Sequence, residues 1–303
     1  MRGHGVAALI MAAAAFSAVG LILYPVAAAA ALTLGQIEEA RRYDARHEEP
    51  DQEEARKSEL EKAVAYNEAL FLKQRTQAYH YGGEDCDDPV YRSLLNDSGA
   101  MCVLDYPAIG LTVPVVHGTG SEDLETAAGH FYGTSLPVGG ESVHAGIAAH
   151  SGLPDAKLFS ELEEAEEGDL FYIHVLGKTH AYRVTGCLVV EPEEADRHLQ
   201  IEKGRDLVTL YTCTPFGLNT HRLLVRGERD KEVEEAAGNE AFGKEQEESL
   251  RTAAALKNRL MLLGLAVIIT AAAFGAAVSL NAIRDRRRAA AGRTGPQKGV
   301  NRR

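Results

Sequence analysis

The chain has no tryptophan among its 303 residues and only four cysteines, Cys86, Cys102, Cys187 and Cys213. No two of them form a Cys-x-x-Cys pair and no His/Cys cluster has ligand spacing. That excludes a structural zinc site, and no residue set asks for a metal or cofactor. Basic charge is scarce as well: residues 32–259 hold 23 Lys and Arg against 43 Asp and Glu, about −20 in all. Without a basic footprint to neutralise phosphates, nucleic acid is excluded as a partner. Internal repeats are lacking too.

Two uncharged runs are present. Residues 6–31 read VAALIMAAAAFSAVGLILYPVAAAAA and residues 260–280 read LMLLGLAVIITAAAFGAAVSL. Roughly 20 apolar residues cross a bilayer as a helix, so both are expected spans. The first exceeds the ~7–15 residues of a secretory signal core, and it stays open between a retained anchor and a cleaved signal. Eight Lys and Arg against one acid follow the second run, which marks a cytoplasmic tail. The expected layout is a cytoplasmic N-terminus (1–5), a signal or transmembrane segment (6–31), an exported portion, a transmembrane helix (260–280) and a basic cytoplasmic tail (281–303). The four cysteines then lie in an oxidising compartment.

Within the exported portion, residues 32–85 are charge-dense with a thin apolar stripe, and Pro50 divides them into two helical pieces. They read as a helical stalk. Residues 230–259, with Gly238 and Gly243, read as a juxtamembrane linker. Between these flanks the texture changes to short β-branched and aromatic runs, LTVPVVHG, FYIHVLG, HAYRVTGCLVVEP, DLVTLYTC and HRLLVRGER, punctuated by Gly, Pro and Asp. That pattern over 103–229 predicts a mainly β, closed domain of about 125 residues, a sandwich or a barrel. AKLFSELEEAEEGD is a helical interlude in which Leu158, Phe159 and Leu162 share a face.

Alternation in DLVTLYTC puts Leu207, Thr209, Tyr211 and Cys213 on one face. Cys213 comes where Thr214-Pro215-Phe216-Gly217 ends the strand, and a strand end leaves a thiol partly accessible. Arg222 opens the next strand, nine positions on, and a hairpin-like return brings it near Cys213. A guanidinium beside a thiol favours the reactive thiolate. The alternatives are a disulfide or an inert core cysteine. Cys86 and Cys102 offer each other a disulfide partner across a short acidic loop, and Cys187 lies mid-strand in VTGCLVV. A cysteine nucleophile also requires a proton-transfer partner. His150 ends the strand Ala145–Ala149 just before a Ser-Gly-Leu-Pro turn, with His144 and His221 as alternatives that spacing cannot separate.

TLYTCTPFGLNTHRLLVRG resembles the TLxTC signature of sortases, with the arginine nine residues after the cysteine, and GHFYGTSLPVGGESVHAGIAAHSGLPDAKLF is similar to the upstream half of the same domain. Within that family the likeness is to the class C, pilus-assembling enzymes. The resemblance implies an eight-stranded β-barrel with an N-terminal helical segment and lid, flanked by transmembrane helices. It further implies that Cys213 is the nucleophile, His150 the general acid/base and Arg222 the group that positions and polarises the substrate. The implied reaction cleaves an LPxTG-like sorting signal at Thr–Gly through a thioester and passes the acyl group to a pilin lysine. The rival within the family uses a peptidoglycan amine to anchor surface proteins; a rival from another class is a non-catalytic, membrane-tethered domain that binds envelope proteins. Class C enzymes carry an Asp-Pro-aromatic lid, and CDDPVYRSLLN offers Asp88, Pro89, Val90 and Tyr91 within a candidate lid at 86–102. By that likeness Asp88 would pair with Arg222. From this sequence alone, and not from the likeness, a Cys86–Cys102 disulfide would tether the lid.

Overall fold

Eight runs of alternating apolar residues pair into one sheet that closes on itself. They are β1 (Ala100–Tyr106), β2 (Leu111–His117), β3 (Ala128–His130), β4 (Val143–Ala148), β5 (Leu170–Val175), β6 (Lys178–Val190), β7 (Asp206–Thr214) and β8 (His221–Arg229). Around the barrel they follow the order β1-β2-β3-β4-β7-β8-β6-β5, and β5 returns to β1. Two pairings are parallel, β2 with β3 and β4 with β7. The computed structural model describes residues 3–236, except 49, 77–87, 98 and 154–155, together with scattered residues between 255 and 288. The barrel lies in a compact unit Ala28–Ala254; Met1–Ala27 and Ala255–Arg303 form a second unit.

Period-two alternation sorts each strand into an inside and an outside. Ala145, Ile147 and Ala149 at β4, Val208 and Leu210 of β7, and Leu223 and Val225 of β8 fill the interior. The intervening residues face outward, and there Leu224 and the half-buried Tyr211 pack with Val190 and Ala195 in a separate cluster. At the start of β7, Asp206 accepts from the Tyr182 hydroxyl at 3.1 Å, the Gly140 N–H at 2.7 Å and Arg229 Nη1 at 3.1 Å. A buried carboxylate is tolerated because all these donors satisfy it, and they hold the end of β7 remote from Cys213.

Two helices precede the barrel, α1 (Gly3–Glu48) and α2 (Glu53–Thr76), with a 3-10 turn Pro50–Gln52 between them. Proline lacks the N–H a helix interior needs, which is why the chain breaks there. Ala40 and Tyr43 of α1 bury against Ala100 and Val103 of β1, and the Tyr43 hydroxyl donates to Met101 O at 3.0 Å. On α2, the Asn67 side chain brackets Leu136, accepting its N–H at 2.7 Å and donating to its carbonyl at 2.9 Å. Among the described residues no helix is long and apolar enough to cross a membrane. The flanking transmembrane helices expected from the sequence therefore find no support: α1 carries 6–31 as helix, and most of 260–280 lies outside the described residues.

Five histidines are buried in the barrel strands, His117, His130, His144, His174 and His180, and burial lowers the pKa of each. Burial pushes His130 and His144 down to about 4 and His174 to about 3. Their neutral forms are favoured in the folded state, so the stability they contribute is complete above the unfolded value near 6.5 and is lost as pH falls toward 4. The arginine-paired carboxylates Glu202, Glu228 and Asp230 are held below their ordinary values, so their contribution is complete above about pH 5 and joins the loss only as pH falls toward 4. The urea midpoint is therefore expected to fall between pH 7 and pH 5; a midpoint that stays flat down to pH 4.5 contradicts the neutral, buried assignment.

Candidate active site

Cys213 and Arg222 are direct cross-strand partners. The β7–β8 register pairs Tyr211 with Leu224, Cys213 with Arg222 and Thr214 with His221. Opposite residues of an antiparallel pair share a face, with Cα atoms about 4.5–5.5 Å apart. Thiol and guanidinium therefore rise from the same outer face at one end of the barrel, and both residues are half-buried. Arg222 is clamped from three directions. Its Nε donates to the Tyr211 hydroxyl at 3.1 Å, and its Nη1 donates to Asn219 O at 3.2 Å and His221 O at 3.0 Å. Nη2 has no partner among the described residues, so one donor is left for an incoming oxygen. Burial raises the Tyr211 pKa despite the opposing pull of Arg222, so the hydroxyl stays protonated. Its ring stands edge-on to Phe131 with centroids 4.8 Å apart, which fixes its orientation.

On the other flank of β7, the parallel pairing with β4 runs from Val143↔Asp206 to Ala148↔Tyr211. The register ends there; His150 follows two residues after Ala148, as Cys213 follows two after Tyr211. Three bonds carry the pairing past the end of the strand: Ala149 N–H to Tyr211 O at 3.2 Å, Thr212 Oγ1 to Ala149 O at 2.8 Å and Ser151 Oγ to Cys213 O at 2.6 Å. The interlude after this turn is a 3-10 helix, Leu158–Glu164, and it braces both the turn that carries His150 and the end of β7. Phe159 N–H donates to His150 O at 3.0 Å, Gly152 N–H donates to Ser160 Oγ at 3.0 Å, and Thr214 Oγ1 donates to Glu163. Gly152 has φ +81°, left-handed backbone that favours glycine, and a Cβ there would make only ordinary contact with the Phe216 ring.

The other sequence-derived candidates are placed elsewhere. His144 is buried, with Nε2 to Thr209 Oγ1 and Nδ1 to Gln200 O, both 2.8 Å. His221 is taken up by Glu191 at 3.2 Å and Thr220 Oγ1 at 2.8 Å. Asp88 is not brought to Arg222. It is the N-cap of α3 (Pro89–Ser93), accepting from Val90 N at 2.9 Å and Tyr91 N at 3.3 Å, while Oδ2 accepts from the Tyr132 hydroxyl at 3.2 Å. The expected lid contact is corrected accordingly. An aspartate before a first-turn proline is ideal N-cap chemistry, and the helix uses it that way. Tyr91, the candidate lid aromatic, is fully buried; its hydroxyl bonds His130 Nδ1 at 2.9 Å and accepts Gly118 N–H at 3.1 Å. Val90 is exposed. Cys102 is a free, fully buried thiol whose pKa burial pushes up, which corrects the expected disulfide; Cys86 lies outside the described residues. Among the described residues no His, Cys, Asp and Glu group is arranged to hold a metal. Tyr211, Ser151 and Ser160 are the supporting residues that reading the sequence missed. Only Tyr211 left a signal there, its parity with Cys213.

Comparison with known proteins agrees with this arrangement. The sortase domain profile matches residues 104–230. The crystal structure of sortase C-1 from Actinomyces oris is 39% identical with TM-score 0.54, over 58% of this chain and 98% of that one. Sortase C of Streptococcus pneumoniae is 36% identical with TM-score 0.57, over 64% of this chain and 96% of that one. The chain belongs to the sortase family. It is also 30% identical over 140 residues to sortase A of Streptococcus agalactiae serotype III (strain NEM316), across 45% of this chain and 55% of that protein. The chain thus spans about half the length of this curated relative.

The burial pattern predicts which thiols react. Iodoacetamide applied to the folded chain is expected to label Cys213 and the exposed Cys187 and to spare Cys102 until denaturant is added, as read by peptide mass mapping. Labelling of Cys102 in the folded state, or its recovery in a disulfide, contradicts the placement.

Proposed function

We propose that the chain is a cysteine transpeptidase of the class C, pilus-assembling kind. The observation that carries this reading is the Cys213–Arg222 cross-strand pair, with the β4–β7 register ending two residues short of His150. The donor is an LPxTG-like sorting signal on a pilin or surface protein. The Cys213 thiolate attacks the threonine carbonyl carbon, and Arg222 Nη2 donates to the oxygen as negative charge develops on it. The carbon–nitrogen bond breaks as His150 gives a proton to the departing glycine amine, leaving a thioester on Cys213. An amine, in this reading a pilin lysine, then attacks the thioester. The carbon–sulfur bond breaks, the nitrogen passes its proton to His150 and the thiolate is regenerated. The thioester conserves the acyl energy of the peptide, so the ligation needs no ATP; water in place of the amine gives hydrolysis as a side reaction.

Similarity to solved class C sortases, among them the Streptococcus pneumoniae enzyme whose structure bears on pilin substrate specificity, supports the choice of acceptor. Membrane attachment, with the barrel outside and the basic tail in the cytoplasm, belongs to the same proposal and rests on the two uncharged runs in the sequence. A second reading, wall anchoring with a peptidoglycan amine, is favoured by one observation: Asp88 caps its own helix instead of covering the site.

The test incubates the full chain with pilin bearing the sorting signal and searches for lysine-linked ladders by gel and mass spectrometry. Ladders are expected with the native chain and not with Cys213→Ala. Wall-linked monomers alone favour the second reading, and no product with any amine overturns both. Arg222→Lys is expected to lower kcat by about 10²–10³-fold, as for loss of an oxyanion donor. Tyr211→Phe, which removes one hydrogen bond to that arginine, is expected to lower it about tenfold.

A further inference from the structure

Strand β6 outruns its neighbour. Lys178 to Arg183 pair with β5 on one side, and Val184 still exchanges bonds with Gly168 and Asp169. Beyond a bulge at Val184/Gly186, residues 186–190 pair only with β8. On the side away from β8, no backbone bond reaches 185–190 among the described residues. Sheet edges of this kind are ordinarily short, charged, interrupted by proline or covered. This one presents Leu188 and Val189 at 44% and 56% exposure on opposite faces of the strand. Among the described residues the one hydrogen bond across the gap is from the Cys187 thiol to Ala165 O at 3.4 Å.

The surroundings of this edge are acidic. Glu163, Glu164, Glu166 and Glu167 are exposed on the segment that leads into β5, and Glu167 Oε1 lies 3.9 Å from where a Gly186 Cβ would stand. Glu191 follows the last residue of the strand. The nearby arginines do not offset this charge, because Arg226 pairs with Glu202 and Arg205 with Glu202 and Glu228. The edge is also continuous with the catalytic centre. Val190 is paired with Arg222 and Arg222 with Cys213, so at ~4.8 Å per strand the end of β6 lies about 10 Å from the thiol.

We propose that residues 185–190 dock the acceptor: an extended, lysine-bearing segment of the acceptor protein adds to β6 as a further strand, its positive charge facing the acidic rim at 163–167. Strand addition draws affinity from main-chain bonds and specificity from alternate side chains, which Leu188 and Val189 would meet on the two faces. This inference rests on the transpeptidase reading and names the surface that brings in the second substrate. An added strand stands about three spacings, ~14 Å, from Cys213, so the reacting lysine lies beyond the end of the docked strand and crosses the row Val190–Arg222–Cys213. There the neutral amine attacks the thioester carbonyl, the carbon–sulfur bond breaks, Cys213 leaves as thiolate and the proton shed by nitrogen goes to His150.

The experiment supplies the full chain with an LPxTG donor peptide and two competing acceptors. One is hydroxylamine, too small to use the edge. The other is a synthetic ten-residue peptide of alternating valine and lysine that ends in Gly-Lys. The ratio of peptide product to hydroxamate is expected to fall at least about tenfold in Val189→Asp and in the double variant Glu166→Arg/Glu167→Arg, and to hold in Val189→Thr. An unchanged ratio in the two disruptive variants overturns the inference. So does a shift in self-association of the chain in place of the ratio, which would assign the edge to a second copy. If the native chain forms no hydroxamate at all, the transpeptidase reading fails and this inference fails with it.

Discussion

The site depends on the register of β7 between two neighbours of opposite polarity. Antiparallel pairing with β8 sets Arg222 beside Cys213, and parallel pairing with β4 runs on the other flank as far as Ala148↔Tyr211, two residues short of His150. Side-chain direction in a strand repeats every two residues. A slip of one residue would turn Cys213 into the barrel and bring Thr212 or Thr214 to the surface. The register is held at both ends. Asp206 is pinned by Tyr182, Gly140 and Arg229 where the strand begins, and Thr212, Cys213 and Thr214 are tied by Ala149, Ser151 and Glu163 where it ends. Between these ends, Val208 and Leu210 commit one face to the apolar interior. Burial of one face and anchoring of both ends therefore determine which side chains meet at the rim.

The supporting contacts divide the work of preorganisation. Backbone bonds from the 3-10 helix Leu158–Glu164 fix the turn that carries His150, while the Tyr211 hydroxyl and two loop carbonyls fix the arginine. Each of these restraints uses donors or acceptors that solvent would otherwise occupy, and together they leave Arg222 Nη2 without a bond among the described residues. An arginine with all its nitrogens bonded could not gain a contact as charge develops, and one with none would have to order itself during the reaction.

How far the sequence could be read varied with the range of the contact. The Cys213–Arg222 pairing was legible because alternation in DLVTLYTC and a short return confine both residues to one hairpin. The closed barrel was legible as a spacing of β-branched runs, although its eight-strand closure came from the family resemblance. His150 was not separable from His144 or His221 on spacing, because the β4–β7 pairing joins segments about sixty residues apart in sequence. Asp88 misled because one dipeptide serves two purposes. The family resemblance led to the expectation of an Asp-Pro lid, and here the dipeptide caps a short helix whose buried Tyr91 bonds His130. Cys102 misled for a related reason: distance along the chain says nothing about facing, and this thiol faces the core.

The central claim is that Cys213, activated among Arg222 and His150, takes the acyl group. The most direct measurement is intact and peptide-level mass spectrometry of the full chain after brief exposure to an LPxTG donor peptide without an amine acceptor, quenched in acid to preserve a thioester. The account predicts an adduct of the peptide's acyl half confined to the Cys213 peptide and removed by hydroxylamine. An adduct on another residue, or cleavage of the donor that persists in Cys213→Ala, would contradict it.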